Sequence, residues 1–305
     1  MRVLLAGFLA CAALCGCGKE TSGRTPVTLY EVAHSIFYAP QYAAIELGYF
    51  QEEGIDLTLV NGAGADKVMT AMLAGDADIG FMGSEASIYT YVQGAEDYAV
   101  NFAQLTQRAG NFLVARQPDP DFTWQKLKGS RVLGGRAGGM PQMVFEYILK
   151  KNGIDPKADL TMDQSIQFGL TAAAFTSDQS DYTVEFEPFA TGLELEGNGY
   201  VVASLGTDSG YVPYTAYCAK KSYLAMHPDL IQRFTSALQK GMNYVNSHTA
   251  EEIAKTIQPQ FSDTPLENIT KIVKRYQDQD TWKENLIFER SSFELLENIL
   301  EEAGE

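Results

Sequence analysis

Apolar and polar positions along this chain follow two periods. Residues 27–32, 55–60, 78–82 and 98–106 carry the short apolar runs expected of strands. Segments of helical spacing lie between them. One has Pro40 near its start and Gly48 at its end. The next opens at Gly62-Ala63-Gly64 and carries Val68, Met69 and Met72 to a stop at Gly75. Ser84 stands where it can cap a third. Strands alternating with helices of roughly ten residues imply a mostly parallel sheet, with ligand loops at the carboxyl ends of the strands. The loops at Phe37-Tyr38, Gly62–Gly64, Ser84-Glu85 and Gln107-Arg108 follow strands and are expected to share one edge.

The pattern then repeats. Residues 111–116 form another apolar strand, and Gln117-Pro118-Asp119-Pro120-Asp121 breaks it, which predicts a domain crossing near that point. A second α/β unit runs to about Ser204. At its centre, Ser130-Arg131-Val132-Leu133 reads as a strand and 142–151 as a helix, with Met143, Val144, Tyr147 and Ile148 on one face. Pro141 suits the first helical position, and Gly153 ends the helix. The turn between them is Gly134-Gly135-Arg136-Ala137-Gly138-Gly139-Met140. Glycines there let backbone approach a ligand, free N–H groups favour an acceptor, and Arg136 adds a charged fork. A helix is expected near 168–175, a strand at 182–186 ending in Glu187-Pro188, and a closing strand at 200–205. Residues 211–219 read as the return crossing. From Pro228 onward the pattern is helical, broken by Pro259 and Pro265.

Composition narrows the function. A formal net charge of −16 sets aside nucleic-acid binding by bulk electrostatics. Arg2 precedes an apolar run, 3–14, too short to span a bilayer, so it reads as a signal-peptide core. Leu14-Cys15-Gly16-Cys17 resembles a bacterial lipobox, which implies cleavage before Cys17 and lipidation of its thiol. Residues 18–26 are expected to be a flexible tether. Cys218 is then left without a disulfide partner.

Catalytic patterns are absent. His34, His227 and His248 lack metal-ligand spacing, and no G-x-S-x-G elbow occurs. Gly62-Ala63-Gly64-Ala65-Asp66-Lys67 has only part of a dinucleotide motif, since Lys67 replaces its third glycine. No catalytic residue, metal or cofactor is expected.

Phe37-Tyr38-Ala39-Pro40, Gly48-Tyr49-Phe50, Glu53-Gly54-Ile55 and the run Leu73 to Gly80 are similar, in that order, to one family. Leu127-Lys128-Gly129, the Gly134–Pro141 turn and Glu187-Pro188 extend the match. The chain resembles the ABC-importer solute-binding proteins for nitrate, sulfonates and thiamine pyrimidine precursors. The resemblance implies a two-lobed α/β fold, the periplasmic-binding-protein type II fold, with a two-strand hinge and C-terminal helices. It places a signal and lipobox at 1–17, a first lobe at 27–112, a second at 113–205, and a return completing the first lobe at 206–305. It implies a monomer outside the cytoplasmic membrane, tethered through lipid on Cys17, that delivers a small molecule to a permease and its ATPase.

The implied cleft holds Phe37, Tyr38, Ser84, Glu85 and Arg108 from one lobe, and Arg136, Gly138, Gly139, Met140 and Glu187 from the other. Arginines near helix starts favour an anion such as a sulfonate or nitrate. Aromatics with carboxylates favour a flat nitrogen heterocycle, and a thiamine-precursor-like pyrimidine is the expected ligand. An enzyme of the same fold that makes such pyrimidines is one rival, and a sensor or adhesion lipoprotein without an importer is another.

Overall fold

The computed structural model describes residues 23–167 and 169–304. The signal, the lipobox with Cys17, and Phe168 lie outside the described residues. Two five-stranded sheets organise the chain. The first contains β1 (Thr25–Glu31), β2 (Ile55–Asn61), β3 (Ile79–Gly83), β4 (Ala99–Thr106) and β10 (Thr215–Lys220). The second contains β5 (Asn111–Ala115), β6 (Arg131–Leu133), β7 (Thr161–Asp163), β8 (Tyr182–Phe186) and β9 (Tyr200–Ser204).

Their orders, β2-β1-β3-β10-β4 and β7-β6-β8-β5-β9, follow one plan. Three parallel strands stand at one side, and the fourth runs antiparallel beside a fifth. In each case that antiparallel strand is the one entering from the other sheet. β5 follows β4 directly, and β10 follows β9. Both faces of these strands are covered, so β5 is buried throughout and is apolar after Asn111.

The first passage between sheets is therefore 107–110, ahead of the proline break. Gln117–Asp121 lies beyond β5 and turns the chain within the second lobe. Residues 205–214 make the return. Thr25 and Pro26, assigned above to the tether, already pair with Ile55 and Asp56 in the first sheet. The final helix also departs from expectation. Arg290–Ala303 packs its buried Leu296, Ile299 and Leu300 with the second-lobe helix Met140–Lys151. The Lys150 ammonium donates to the Glu302 carbonyl. The chain thus ends on the second lobe, not the first. No helix among the described residues is long and apolar enough to cross a membrane.

Phe37 sits where the lobes meet. Its ring is fully buried and lies 5.2–5.8 Å from the rings of Tyr38, Phe186, Tyr214 and Tyr276. Gly110 of the first crossing is a glycine because a Cβ there would fall 2.7 Å from Phe37 and 2.8 Å from Phe186. Polar ties surround the ring. Trp282 Nε1 donates to the Phe37 carbonyl at 2.8 Å, Ser35 Oγ to the Glu187 carbonyl at 2.9 Å, and Tyr276 OH to the Gly110 carbonyl at 3.0 Å.

A second tie is ionic. Arg275, on the helix Leu266–Asp278, forks between Glu187 and Glu194 of the second lobe. The Glu187 side chain is fully buried, and its carboxylate also accepts Thr191 N and Oγ1 at 2.9 Å each. Removing one member of such a pair strands a buried charge. Arg275→Met should therefore lower stability by about 3–5 kcal/mol in thermal or denaturant unfolding. Adding Glu187→Gln to it should recover part of that loss, and strictly additive losses would show that the two groups are not coupled.

His34 presents a related arrangement. Its Nδ1 lies 2.7 Å from Glu31 Oε1, and its Nε2 lies 2.8 Å from the Gln260 carbonyl. Both partners are acceptors, so the ring fits best with both nitrogens protonated. Burial works against that charge, but the Glu31 hydrogen bond, the Gln260 carbonyl and the Glu31 charge outweigh it and raise the pKa. The stability from this ring is then complete below about pH 6.5 and fades as pH rises through the higher folded-state value. The difference in melting temperature between the wild type and His34→Gln should shrink from about pH 5.5 to about pH 8.5. A difference that widens with pH would count against a charged ring.

Candidate functional site

Between the lobes lies a cavity of about 480 Å³. The first lobe lines it with Tyr38, Asp66, Gly83, Glu85 and Thr215. The second contributes the turn Gly135–Pro141, with Thr171, Glu185 and Phe186. Asn111 and Tyr214, beside the two crossings, complete it. The loops after β1, β3 and β8 meet here, as a parallel arrangement dictates. Most of the remaining wall is apolar or aromatic.

Two buried carboxylates face this space, one from each lobe. Glu85 opens the helix Glu85–Val92 directly after β3. It is 3 % exposed, and its Oε2 is buried with no hydrogen-bond partner among the described residues. Burial pushes its pKa up to about 7, against a smaller opposing effect of its own backbone N–H. Glu185 stands near the end of β8, 1 % exposed. Its oxygens accept hydrogen bonds from Thr183 Oγ1 at 2.7 Å and Thr171 Oγ1 at 2.8 Å. Burial again dominates and pushes it up to about 7, although both hydroxyls favour the ionised form.

The phenols beside them stay neutral. Burial raises Tyr38 and Tyr214 well above the usual tyrosine range. Tyr214 OH donates to Asn111 Oδ1 at 2.6 Å. Tyr38 packs its ring edge-on to Phe81, centroids 4.5 Å apart.

The glycine turn is held from behind. Gly138 has φ +77°, a region that side chains rarely adopt, and its N–H donates to Gln142 Oε1 at 2.9 Å. Gln142 in turn donates to Glu146, which also accepts from Gln164. The Gly138 N–H is thus engaged inside the lobe and is not offered to an anion, as the turn's sequence suggested. Pro141 stands in the first turn of the helix beginning at Met140. Arg136 lies at the rim with its side chain 55 % exposed, 3.4 Å from Asp66 across the opening. That pair is a solvent-screened bridge between the lobes.

Of the ten residues expected in the cleft, Tyr38, Glu85, Arg136, Gly138, Gly139 and Met140 line the cavity. Phe37, Ser84, Arg108 and Glu187 do not. Phe37 is consumed by the aromatic cluster at the seam. Ser84 is fully buried, and its hydroxyl donates to the Pro213 carbonyl instead of capping its helix. Arg108 turns to the Gly206 carbonyl at 3.0 Å and stacks over Tyr211 at 4.1 Å. Glu187 belongs to the Arg275 fork and holds the first turn of Phe189–Leu195.

Glu185 was missed. Its signal was a carboxylate inside a five-residue strand, on the same face as Thr183, where a charge is costly unless it has work to do. Asn111 carried a weaker form of the same signal, a polar residue opening an apolar strand.

The family model described as NMT1/THI5 like matches residues 36–252. YtlA of Bacillus subtilis (strain 168), named as a binding protein, is 44% identical over 293 residues, covering 96% of this chain and 87% of that one. The 4-amino-5-hydroxymethyl-2-methylpyrimidine phosphate synthase of Legionella pneumophila is 25% identical over 239 residues, 75% of this chain and 72% of that one. Among solved structures, the alkanesulfonate-binding protein SsuA from Xanthomonas axonopodis pv. citri, bound to MOPS, superposes with a TM-score of 0.69 at 16% identity, over 92% of this chain and 91% of that one. That likeness is one of fold. With two sheets of one plan facing across a cleft, and a family match over most of its length, this chain belongs to the NMT1/THI5-like family.

Proposed function

We propose that this protein captures a flat, amino-bearing nitrogen heterocycle of the thiamine-precursor pyrimidine type outside the cytoplasmic membrane and passes it to a permease and its ATPase. Lipid on Cys17 would hold it at the membrane surface. The observation that carries the ligand class is the pair of buried carboxylates, Glu85 and Glu185, one on each lobe of a largely apolar cavity. An uncharged or cationic ring with N–H groups satisfies them. The aromatic walls cover its faces.

A sulfonate or nitrate fits the same wall poorly. Among the described residues lining the cavity, Arg136 is the one cation, and it stands at the solvent edge beside Asp66. An anion would meet Glu85 and Glu185 with no buried partner. Such a ligand would stabilise the closed arrangement only through contacts that both lobes make with it.

The chain acts here as a binding protein. The synthase among its relatives shares the family, but the Thr171 hydroxyl beside Glu185 is turned to steady that carboxylate, and the carboxylates of the cavity suit recognition of N–H groups.

Calorimetry and thermal shift with 4-amino-5-hydroxymethyl-2-methylpyrimidine should show saturable binding and a raised melting temperature, while a short alkanesulfonate should do neither. Glu185→Ala should weaken the pyrimidine by about 1–3 kcal/mol, the cost of an unmet polar group. A melting-temperature rise with the sulfonate and none with the pyrimidine would reverse the assignment.

A further inference from the structure

The two carboxylates are not equivalent. Glu185 has a threonine hydroxyl on each oxygen, so its position and its acceptor role are set before any ligand arrives. Glu85 has no side-chain donor among the described residues. Gly83 lies directly beneath its carboxyl group, and a Cβ there would collide with both oxygens, so the glycine makes room for the acid.

The titratable and charged groups around Glu85 come from several elements. Tyr38, in the turn Ile36–Tyr38, is joined to Thr215 of β10. Tyr214 donates to Asn111. The thiol of Cys218, also on β10, is pushed up to about 12 by burial. Glu185 lines the opposing lobe, and Asp66 and Arg136 face each other at the rim. None of them hands Glu85 a charge or a hydrogen. A carboxyl group with one oxygen unpartnered in a largely apolar wall, and a pKa near neutrality, is available as a neutral acid.

We propose that Glu85 takes up its ligand as a two-point pair with an amino-azine edge, a ring nitrogen beside an exocyclic amino group, sharing one proton between the carboxyl and the ring. This rests on the ligand class argued above and adds its mode of capture. In one form the Glu85 O–H donates to the ring nitrogen while the other oxygen accepts from the amino group. In the other form the O–H bond has broken, its electron pair has stayed on oxygen, and the proton has bonded to the ring nitrogen. The pair is then carboxylate and azinium, with the same two hydrogen bonds and no further reactant.

One proton is required in either form. With two, an acid O–H faces an azinium N–H. With none, two lone pairs face each other. Affinity should therefore peak between the pKa of the ligand ring and that of Glu85, and fall about tenfold per pH unit on either side. The amide introduced by Glu85→Gln offers a fixed donor and a fixed acceptor. That variant should keep the acid limb, set by the ligand alone, and lose the alkaline limb.

The test is a series of dissociation constants for 4-amino-5-hydroxymethyl-2-methylpyrimidine from about pH 5 to pH 9, with wild type and Glu85→Gln. Calorimetry of the wild type in buffers of different ionisation enthalpy would count protons at each pH. A bell-shaped wild-type profile, and an alkaline limb that is flat in Glu85→Gln, are the expected results. A wild-type affinity that is independent of pH, or that only rises with pH, overturns the shared-proton pair while leaving the heterocycle reading intact. So does an alkaline limb that persists in Glu85→Gln. Should Glu85→Gln fail to fold, the wild-type profile and proton count decide alone. Absence of binding at every pH overturns the ligand class and the pairing together.

Discussion

The burial of one aromatic ring ties the two halves of this molecule together. Phe37 leaves the end of β1 and enters the seam between the sheets, where rings from the first lobe, β8, the return crossing and the helix Leu266–Asp278 close around it. A ring of this size, removed wholly from water, contributes on the order of 2–3 kcal/mol. Its larger effect is geometric. With Phe37 fixed, the next residue, Tyr38, is placed on the cleft wall, and the crossing at Gly110 can pass only without a side chain. The seam and the site are two sides of one turn.

The cleft inherits its electrostatics from that placement. Closing two sheets over a crevice withdraws water from whatever the strand ends present, and here they present carboxyl groups. Glu185 offsets part of that cost with two hydroxyl donors, and Glu85 does not. The chain as a whole is acidic, and the cavity wall carries the same sign of group at short range.

Much of the architecture could be read from the chain. The strands at 55–60, 78–82, 98–106 and 182–186 and the helix after Pro141 show their periods plainly, because each buries a face. The short β7 could not be read, since its residues are mostly exposed and an acidic stretch hides it. The passage between sheets was displaced to the Pro118–Pro120 break, because proline announces a turn but not which sheet follows it. For the site, Tyr38, Glu85 and the glycine turn were legible as loops following strands. Arg108 and Glu187 were misplaced because a charged residue at a strand end suits a ligand or an internal ion pair equally well. What withdrew Glu187 was Arg275, about ninety residues away and without a local signal, and what withdrew Arg108 was a backbone carbonyl and the Tyr211 ring. Glu185 was lost to its neighbour, since the strand end drew attention to Glu187.

The closing helix has a mechanical consequence. Two adjacent crossings form a door hinge, leaving one rotation free. The tail adds a third strap. It is fastened to the first lobe through Trp282, which bridges Thr106, and through the Leu286 carbonyl, which accepts from Gln104 N at 2.9 Å. It then runs through 287–289 to a helix docked on the opposite lobe. That span reaches only about 10 Å when fully extended. Any change of angle between the two lobes would be limited by this leash of fixed length, and lengthening it would relax that limit without touching the cavity wall.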